Sequence, residues 1–256
     1  RSLEHADRVR RERARAIVRN LRAVLESLGY LRHGHPTPKL EELRRVYDAN
    51  ALTLVELIDA GFLDGHGPAE VAEAISWFAF DRDTASLRPV RLGHRLERLR
   101  EDVLALHDQV RLLEARHGLQ LSTPLHPTFG GAALAWARGA SFGEVARTVG
   151  LAEGDLMLVL FKTLDLIRQL GAMVRRCRPD SPLGDRLLAA ERAVYRGVVA
   201  HTLDRVAEGT TETPEAVSVE ALAHLMRLDP PAAARRPPRP AVAVRRRGAT
   251  RRVRGR

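Results

Sequence analysis

The chain has 256 residues, of which 45% are hydrophobic and 29% charged, and its formal net charge is +10. This apolar content is enough to bury the core of one large or two small domains. No apolar run reaches the roughly 18 residues that a bilayer-spanning helix needs, which excludes helical membrane proteins. The single cysteine, Cys177, excludes an internal disulfide, and the arginine-rich N-terminus lacks the apolar segment of a secretory signal. We therefore expect a cytoplasmic protein without a membrane partner.

The positive charge is concentrated at the two ends of the chain. Residues 230–256 hold ten arginines and no acid, and residues 1–22 hold eight arginines and three acids. The long segment between them is mildly acidic. Because 40 of the 42 basic residues are arginines, the composition of a GC-rich gene explains the bias. The overall charge is therefore no evidence for nucleic-acid binding. The chain begins with Arg1 rather than Met, so we expect a piece of a longer polypeptide.

Apolar residues three and four positions apart predict helices along most of the chain. The predicted ranges are 6–29, a pair within 40–61, 68–81, 90–117, 134–138, 142–148, 153–175 and 183–207. Pro124 and Pro127 are predicted to open the helix that includes 134–138, because proline is favoured in a first turn. No segment has the alternation of a half-buried strand. The predicted fold class is all-α, a bundle of about eight or nine helices.

The same pattern predicts four regions. Residues 1–19 form an N-terminal helix or connector, and residues 20–208 form the helical domain. Residues 209–228 form a weak terminal helix after Pro214. Residues 229–256 consist mainly of Pro, Ala and Arg, which cannot offset the entropy of ordering, so a disordered basic tail is predicted.

The sequence contains no recognisable catalytic or metal site. A phosphate-binding loop needs glycines before its Lys-Thr pair, but Lys162 and Thr163 follow Leu160 and Phe161. There is no zinc-type His-Glu-x-x-His and no Gly-x-Ser-x-Gly elbow. His33 and His35 flank Gly34 in a predicted loop, which is a weak signal for a metal. We expect neither a catalytic residue nor a bound metal in this chain.

The most informative stretch lies between Pro127 and Leu170. It contains Trp136-Ala-Arg-Gly139, then Ser141-Phe142, then Glu153-Gly154-Asp155, then a long segment that reaches Gln169-Leu170. This order and spacing resembles the C-terminal helical (DSHCT) domain of superkiller-type, exosome-associated RNA helicases. Further similarity, over about residues 20–203, lies in residues 24–31, 52–62, 69–80 and 196–199.

The resemblance implies a function and its partners. It implies a helical domain attached to N-terminal helicase motor domains of the same parent polypeptide, which would use ATP and Mg²⁺. It also implies single-stranded RNA as a partner. The ATP-hydrolysing site of that parent is not in this chain.

The long helix over 153–175 has two different faces. Leu156, Leu160, Thr163, Leu164, Ile167, Leu170 and Gly171 share one face and are predicted to be buried. The opposite face carries Leu158, Lys162, Asp165 and Gln169.

In the resembled helicases the corresponding helix is a ratchet helix that lies across the RNA. The resemblance therefore implies RNA contacts for Lys162 and Asp165, and Gln169 can reach a base or sugar edge. Glu56, in the similar stretch 52–62, is a further candidate for the same RNA channel. Leu158 and Lys162 both stand where the family usually has Arg.

Several alternatives remain open from the residues alone. Lys162 and Asp165 also fit an ordinary solvated pair on a helix, and Trp136 fits a core position better than a base-stacking one. Residues 140–160 have the cadence of a helix-turn-helix in a DNA-binding regulator, although Glu153 and Asp155 would lead its second helix. A motor-free RNA-binding adaptor with a basic tail is the third reading.

Overall fold

The apolar periodicity of the sequence corresponds to ten α-helices in the computed structural model, which describes residues 2–80, 87–88, 90–126 and 128–209. They are α1 (Ser2–Ser27), α2 (Pro38–Leu43), α3 (Ala51–Asp59), α4 (Pro68–Ala79), α5 (His94–Arg116), α6 (Ala132–Ala137), α7 (Phe142–Val149), α8 (Glu153–Cys177), α9 (Leu183–Val194) and α10 (Gly197–Gly209). A two-residue antiparallel pair, β1 (Leu31–Arg32) and β2 (His35–Pro36), joins α1 to α2. The predicted all-α fold class is confirmed.

Local signals set several helix ends. Pro68 stands in the first turn of α4, and the Glu70 carboxylate accepts the N–H of Gly67 at 3.0 Å. The Ser141 hydroxyl accepts the Glu144 N–H at the start of α7, and Gly150 ends this helix in the left-handed conformation. These ends lie within a few residues of those that the sequence predicts.

The core forms where α4 and α8 pack against each other and against α6 and α9. Every residue of α4 from Val71 to Ala79 is buried, including Glu73 and Ser76. The predicted apolar face of α8 is buried in full, from Leu156 to Gly171. Burial of this many apolar side chains is the main favourable contribution to folding.

A buried carboxylate joins α4 to α6. Glu73 accepts hydrogen bonds from the N–H groups of Gly131 at 2.5 Å and Leu134 at 2.8 Å, and from the Trp77 indole at 2.9 Å. Burial raises the pKa of Glu73, although these donors act in the opposite direction. Glu73 therefore satisfies the amide groups at the start of α6, where Gly131 precedes the first helical residue without a side-chain cap.

The sequence predictions fail at three places within the described residues. Residues 31–36 form the small hairpin. The helix predicted to open at Pro124 or Pro127 begins only at Ala132, and residue 127 lies outside the described part. The helix predicted over residues 183–207 is divided into α9 and α10.

The division between α9 and α10 has a tertiary cause. The Arg196 guanidinium donates to the carbonyl oxygens of Trp136 and Ala140, which holds the chain away from a helical path. Gly197 then adopts a φ of +50°, where a Cβ atom would lie 3.3 Å from the Trp136 ring. This left-handed conformation favours glycine.

The predicted region boundaries are only partly covered by the structure. α1 runs without a break across the predicted boundary between residues 19 and 20. The predicted weak helix over 209–228, apart from its first residue, and the predicted disordered tail over 229–256 lie outside the described residues. Within the described part, no helix combines the length and apolar character required to cross a bilayer.

Candidate functional site

The predicted polar face of α8 is half-buried rather than open to solvent. Lys162, Asp165 and Gln169, the α8 polar row, all have intermediate exposure, with 27% of the Lys162 side chain accessible. The Gln169 amide donates to the Asp165 carboxylate at 2.7 Å. Consecutive members of the row are three or four residues apart, so they lie on one side of the helix. The structure thus brings three of the four predicted site residues together.

The row is partly covered by residues 44–50 between α2 and α3, here called the Tyr47 loop. The backbone N–H of Tyr47 donates to the Gln169 amide oxygen at 2.6 Å. The Asp48 carboxylate lies 3.6 Å from the Lys162 ammonium group. These two contacts join the loop to both ends of the α8 polar row.

The loop conformation follows from its own residues. Asp48 accepts the N–H of Asn50 at 2.8 Å, an aspartate turn that leads into α3. Val46 is buried, and the Asn50 amide donates to Thr123 at 3.0 Å. With Val46 and Asn50 anchored, the side chain of Tyr47 points outward and is 80% exposed.

Tyr47 is a candidate binding residue that sequence reasoning missed. Its spacing from Leu40, Leu43 and Val46 continues an apolar helical pattern, which predicts an inward-facing residue. The structure corrects this, because α2 ends at Leu43. The exposed residues Arg44 and Arg45 precede Tyr47 in the sequence. A tyrosine next to two arginines, at a break between helices, is the signal that points to a surface role.

The Asp165 carboxylate of the row lies in an environment that disfavours its ionised form. Burial raises the pKa of Asp165, and it outweighs the hydrogen bond from Gln169 and the positive charges of Arg168 and Lys162. The ionised carboxylate therefore costs free energy in this position. Such a cost is common at binding sites, where side chains are arranged for a ligand rather than for stability.

Glu56 belongs to a different group of charges. Its carboxylate pairs with Lys39 at 2.8 Å, and Lys39 also contacts Asp59 at 2.9 Å. Within the described residues, Glu56 interacts with Lys39 and with the Tyr30 hydroxyl, and not with the α8 polar row. An RNA contact for Glu56 stays a prediction.

Next to this group, Arg178 forms ion pairs with α2 and α3, and it shares Asp59 with Lys39. It donates to both oxygens of Glu42, at 2.8 and 2.7 Å, and to Asp59 at 2.9 Å. We call Arg178, Glu42 and Asp59 the Arg178 clamp. The hydrogen bonds that Arg178 donates to Glu42 raise the pKa of Arg178, against the effect of burial.

Trp136 is a core residue, as its apolar flanks predict. Only 2% of it is exposed, and its indole N–H donates to the Val194 carbonyl at 2.8 Å. The Arg196 guanidinium lies 3.7 Å from the ring centroid, and Phe142 meets the ring edge-on. Base stacking on Trp136 is therefore excluded in this conformation.

Within the part of the chain that the structure describes, the Lys-Thr pair does not fit an ATP or Mg²⁺ site. Lys162 and Thr163 lie in the middle of α8, and the buried Thr163 hydroxyl donates to the Val159 carbonyl at 2.7 Å. A hydroxyl held inside a helix cannot ligate a metal, and no glycine loop precedes it. Among the residues that the structure describes, no group of three or more His, Cys, Asp or Glu side chains is placed to hold a metal ion.

Comparison with known proteins agrees with the resemblance of the motif. No curated protein shows significant similarity to the chain. A family model described as the DSHCT (NUC185) domain matches residues 33–202. The match begins in the hairpin after α1 and ends in α10, so it includes the Tyr47 loop and all of α8. Since the match covers more than half of the sequence, the chain belongs to the DSHCT family, the C-terminal domain of superkiller-type helicases.

Proposed function

We propose that this chain is the RNA-contacting C-terminal helical domain of an ATP-dependent RNA helicase. Single-stranded RNA passes over the α8 polar row and the Tyr47 loop, so that α8 acts as a ratchet helix. Motor domains of the same parent polypeptide bind ATP and Mg²⁺ and drive the strand. Family membership supports the attached motor, and the contact surface is argued from the residues of this chain.

The observation that carries the proposal is an exposed tyrosine in a loop whose backbone and neighbouring carboxylate contact the α8 polar row. Tyr47 is 80% exposed, and its own backbone is bonded to Gln169, while the neighbouring Asp48 contacts Lys162. Stacking on an aromatic ring accepts any base, and a cation beside it attracts the phosphate backbone. This combination suits a strand that moves past the surface, because no base has to be read.

The contact between Lys162 and Asp48 supports exchange of partners. At 3.6 Å it is longer than a good charge-assisted hydrogen bond, and the lysine side chain retains 27% exposure. An RNA phosphate can compete with Asp48 for Lys162, while the Asp48 carboxylate keeps its hydrogen bond from the Asn50 N–H. Burial makes the ionised form of the half-buried Asp165 unfavourable. Its carboxylate can accept a hydrogen bond from a ribose hydroxyl of the RNA.

The burial of α8 disfavours the helix-turn-helix reading. A recognition helix must enter a groove of DNA with one face free of the protein. α8 packs against both α4 and α9, and its accessible first turn carries Glu153 and Asp155, which phosphates repel. The part of α8 that duplex DNA could reach therefore carries an unfavourable charge.

Binding of a fluorescently labelled single-stranded RNA to the full chain tests the contact surface. Tyr47→Ala should raise Kd by about 5- to 150-fold, which corresponds to about 1 to 3 kcal/mol for one stacked base. Tyr47→Phe keeps the ring and should bind like the unaltered chain. Leu112→Ala removes another exposed large side chain, 53% accessible and on α5, and serves as the control. Unchanged affinity in Tyr47→Ala, or tighter binding of duplex DNA than of RNA, would contradict the proposal.

A parent protein that contains the motor tests the ratchet role. Replacing Lys162 and Asp165 by alanine should lower the rate of duplex unwinding more than the rate of ATP hydrolysis. The reason is that these residues act on the strand and not on the nucleotide. An equal loss of both rates would show that the row supports the motor and does not contact RNA.

A further inference from the structure

Five arginines form a straight row along α1. Arg8, Arg11, Arg15, Arg19 and Arg22 are separated by three, four, four and three positions, and all five are exposed. At about 100° per residue they fall within an arc of about 80° on one side of the helix. The row is about 21 Å long, because an α-helix rises about 1.5 Å per residue. We call these residues the α1 arginine row.

Near the C-terminal end of α1, the side opposite the row faces the rest of the protein. Val24 is buried and Leu21 is half-buried, about 120° or more from the centre of the row. Asn20 approaches the chain at Gly118, just beyond α5. The α1 arginine row therefore points away from the surface on which the helix rests.

Few acids lie near the row. Glu12 is the single acid between residues 8 and 22, and it lies beside Arg8 and Arg15. Glu26 follows on the same side of α1. Its carboxylate accepts the N–H of Gly34 in the hairpin at 2.8 Å. The row thus keeps a strong positive charge, although the chain as a whole is rich in arginine.

Two more arginines on the same helix show that position, not composition, defines the row. Arg10 and Arg13 are also exposed but lie about 100° or more outside its arc. They have the same side chain, the same helix and the same solvent exposure. A comparison of the two sets separates an ordered row from a general excess of arginine.

We propose that the α1 arginine row binds the phosphate backbone of single-stranded RNA, without reading its bases. A regular row of guanidinium groups complements a regular row of phosphates, and arginine forms bidentate contacts with them. An interfacial membrane helix would need a continuous apolar side free for lipid, but Val24 is buried, and the exposed Ile17 and Val18 lie about 100° apart on α1. The choice of RNA as the nucleic acid rests on the proposed function, whereas the row itself is independent of the α8 polar row.

The salt dependence of RNA binding by the full chain tests this surface. The double variant Arg15→Gln/Arg19→Gln should reduce the slope of log K against log salt by about 1.4, from two lost phosphate contacts. Arg10→Gln/Arg13→Gln removes the same charge and should leave the slope nearly unchanged. Glutamine has a helix propensity close to that of arginine, so equal thermal melts are expected for both variants. Both double variants keep the arginines of residues 230–256, so the contribution of those arginines to the slope is the same in each.

Equal slopes in the two double variants would overturn the proposal, since the position on the helix would then be irrelevant. An unchanged slope in Arg15→Gln/Arg19→Gln, or a loss of binding to anionic vesicles with intact RNA binding, would also overturn it. Tyr47→Ala should lower RNA affinity without changing the slope, because stacking involves no phosphate charge. A failure of the α8 surface and a failure of the α1 arginine row therefore give different results.

Discussion

Two cations of the α8 region, Arg178 and Lys162, both contact the segment that contains α2 and α3, but in different ways. Arg178 holds the two oxygens of Glu42 in a fork and reaches Asp59 as well. Lys162 has a single ion pair in the described part of the chain, with Asp48 at 3.6 Å. One cation is saturated with short contacts, and the other is loosely held.

Chemistry explains why the two pairs serve different purposes. A guanidinium fork matches a carboxylate in geometry, so without Arg178 the buried Glu42 would lose two short hydrogen bonds. The Asp48 side chain is equally buried, but without Lys162 it would lose one contact of 3.6 Å and keep the hydrogen bond from the Asn50 N–H. A lysine ammonium is a compact charge on a flexible stem, which changes partners at little cost. The comparison teaches that the Arg178 clamp holds α8 against α2 and α3, while Lys162 is available to a ligand.

The largest expected effect concerns the clamp. Arg178→Ala should lower the free energy of unfolding by about 2 to 3 kcal/mol, because Glu42 loses two charge-assisted hydrogen bonds. Urea denaturation monitored by circular dichroism measures this change. Lys162→Ala is the matched control and should lower the free energy of unfolding by about 1 kcal/mol or less, because Asp48 loses one contact of 3.6 Å and keeps the Asn50 N–H. Equal losses of stability in the two variants would show that Arg178 and Lys162 hold the fold together to the same extent, which contradicts the prediction.

A smaller effect is expected for the partner of Lys162. Asp48→Asn should bind single-stranded RNA about 2- to 5-fold more tightly, because Lys162 loses a competing carboxylate. Asparagine keeps an oxygen for the N–H of Asn50, so the loop should retain its shape. Asp180→Asn removes the same charge from the exposed turn before α9 and should not change Kd. Weaker binding in Asp48→Asn would mean that Asp48 itself contacts the RNA.

The smallest expected effect is the pH dependence caused by Asp165. Its pKa is raised in the folded protein, so the folded state binds more proton than the unfolded state just above the ordinary aspartate pKa of about 3.9. Stability should therefore fall as the pH rises through that window. Asp165→Asn should lack this fall and be slightly more stable at neutral pH, by less than the loss in Arg178→Ala. Parallel stability profiles of the two proteins from pH 3 to pH 7 would contradict this prediction.

The helices were predictable where short-range periodicity decides the structure. The buried face of α8 follows from spacings of three and four, and Gly150 ends α7 where a glycine stop is expected. The break at Tyr195 and Arg196 was not predictable, because it depends on the carbonyl groups of Trp136 and Ala140. Glu73 shows the same limit, since a glutamate within a helix is normally expected in solvent.

In the candidate site, too, the residues close in sequence were predictable and those distant in sequence were not. The α8 polar row could be predicted because its members lie within two turns of one helix. Tyr47 could not, because its place beside Gln169 joins residues 122 positions apart. Glu56 resembled a member of the site in sequence, yet its carboxylate lies with Lys39.

By itself the sequence determined the all-α class, the main helices, the buried face of α8 and the family resemblance. Each of these depends on residues within a few helical turns of one another or on motif order. The tertiary structure alone decided that the Tyr47 loop covers the α8 polar row, that Glu73 caps α6 and that Arg178 closes on Glu42. These contacts join distant segments, and they form only when packing of the core brings those segments within hydrogen-bond distance.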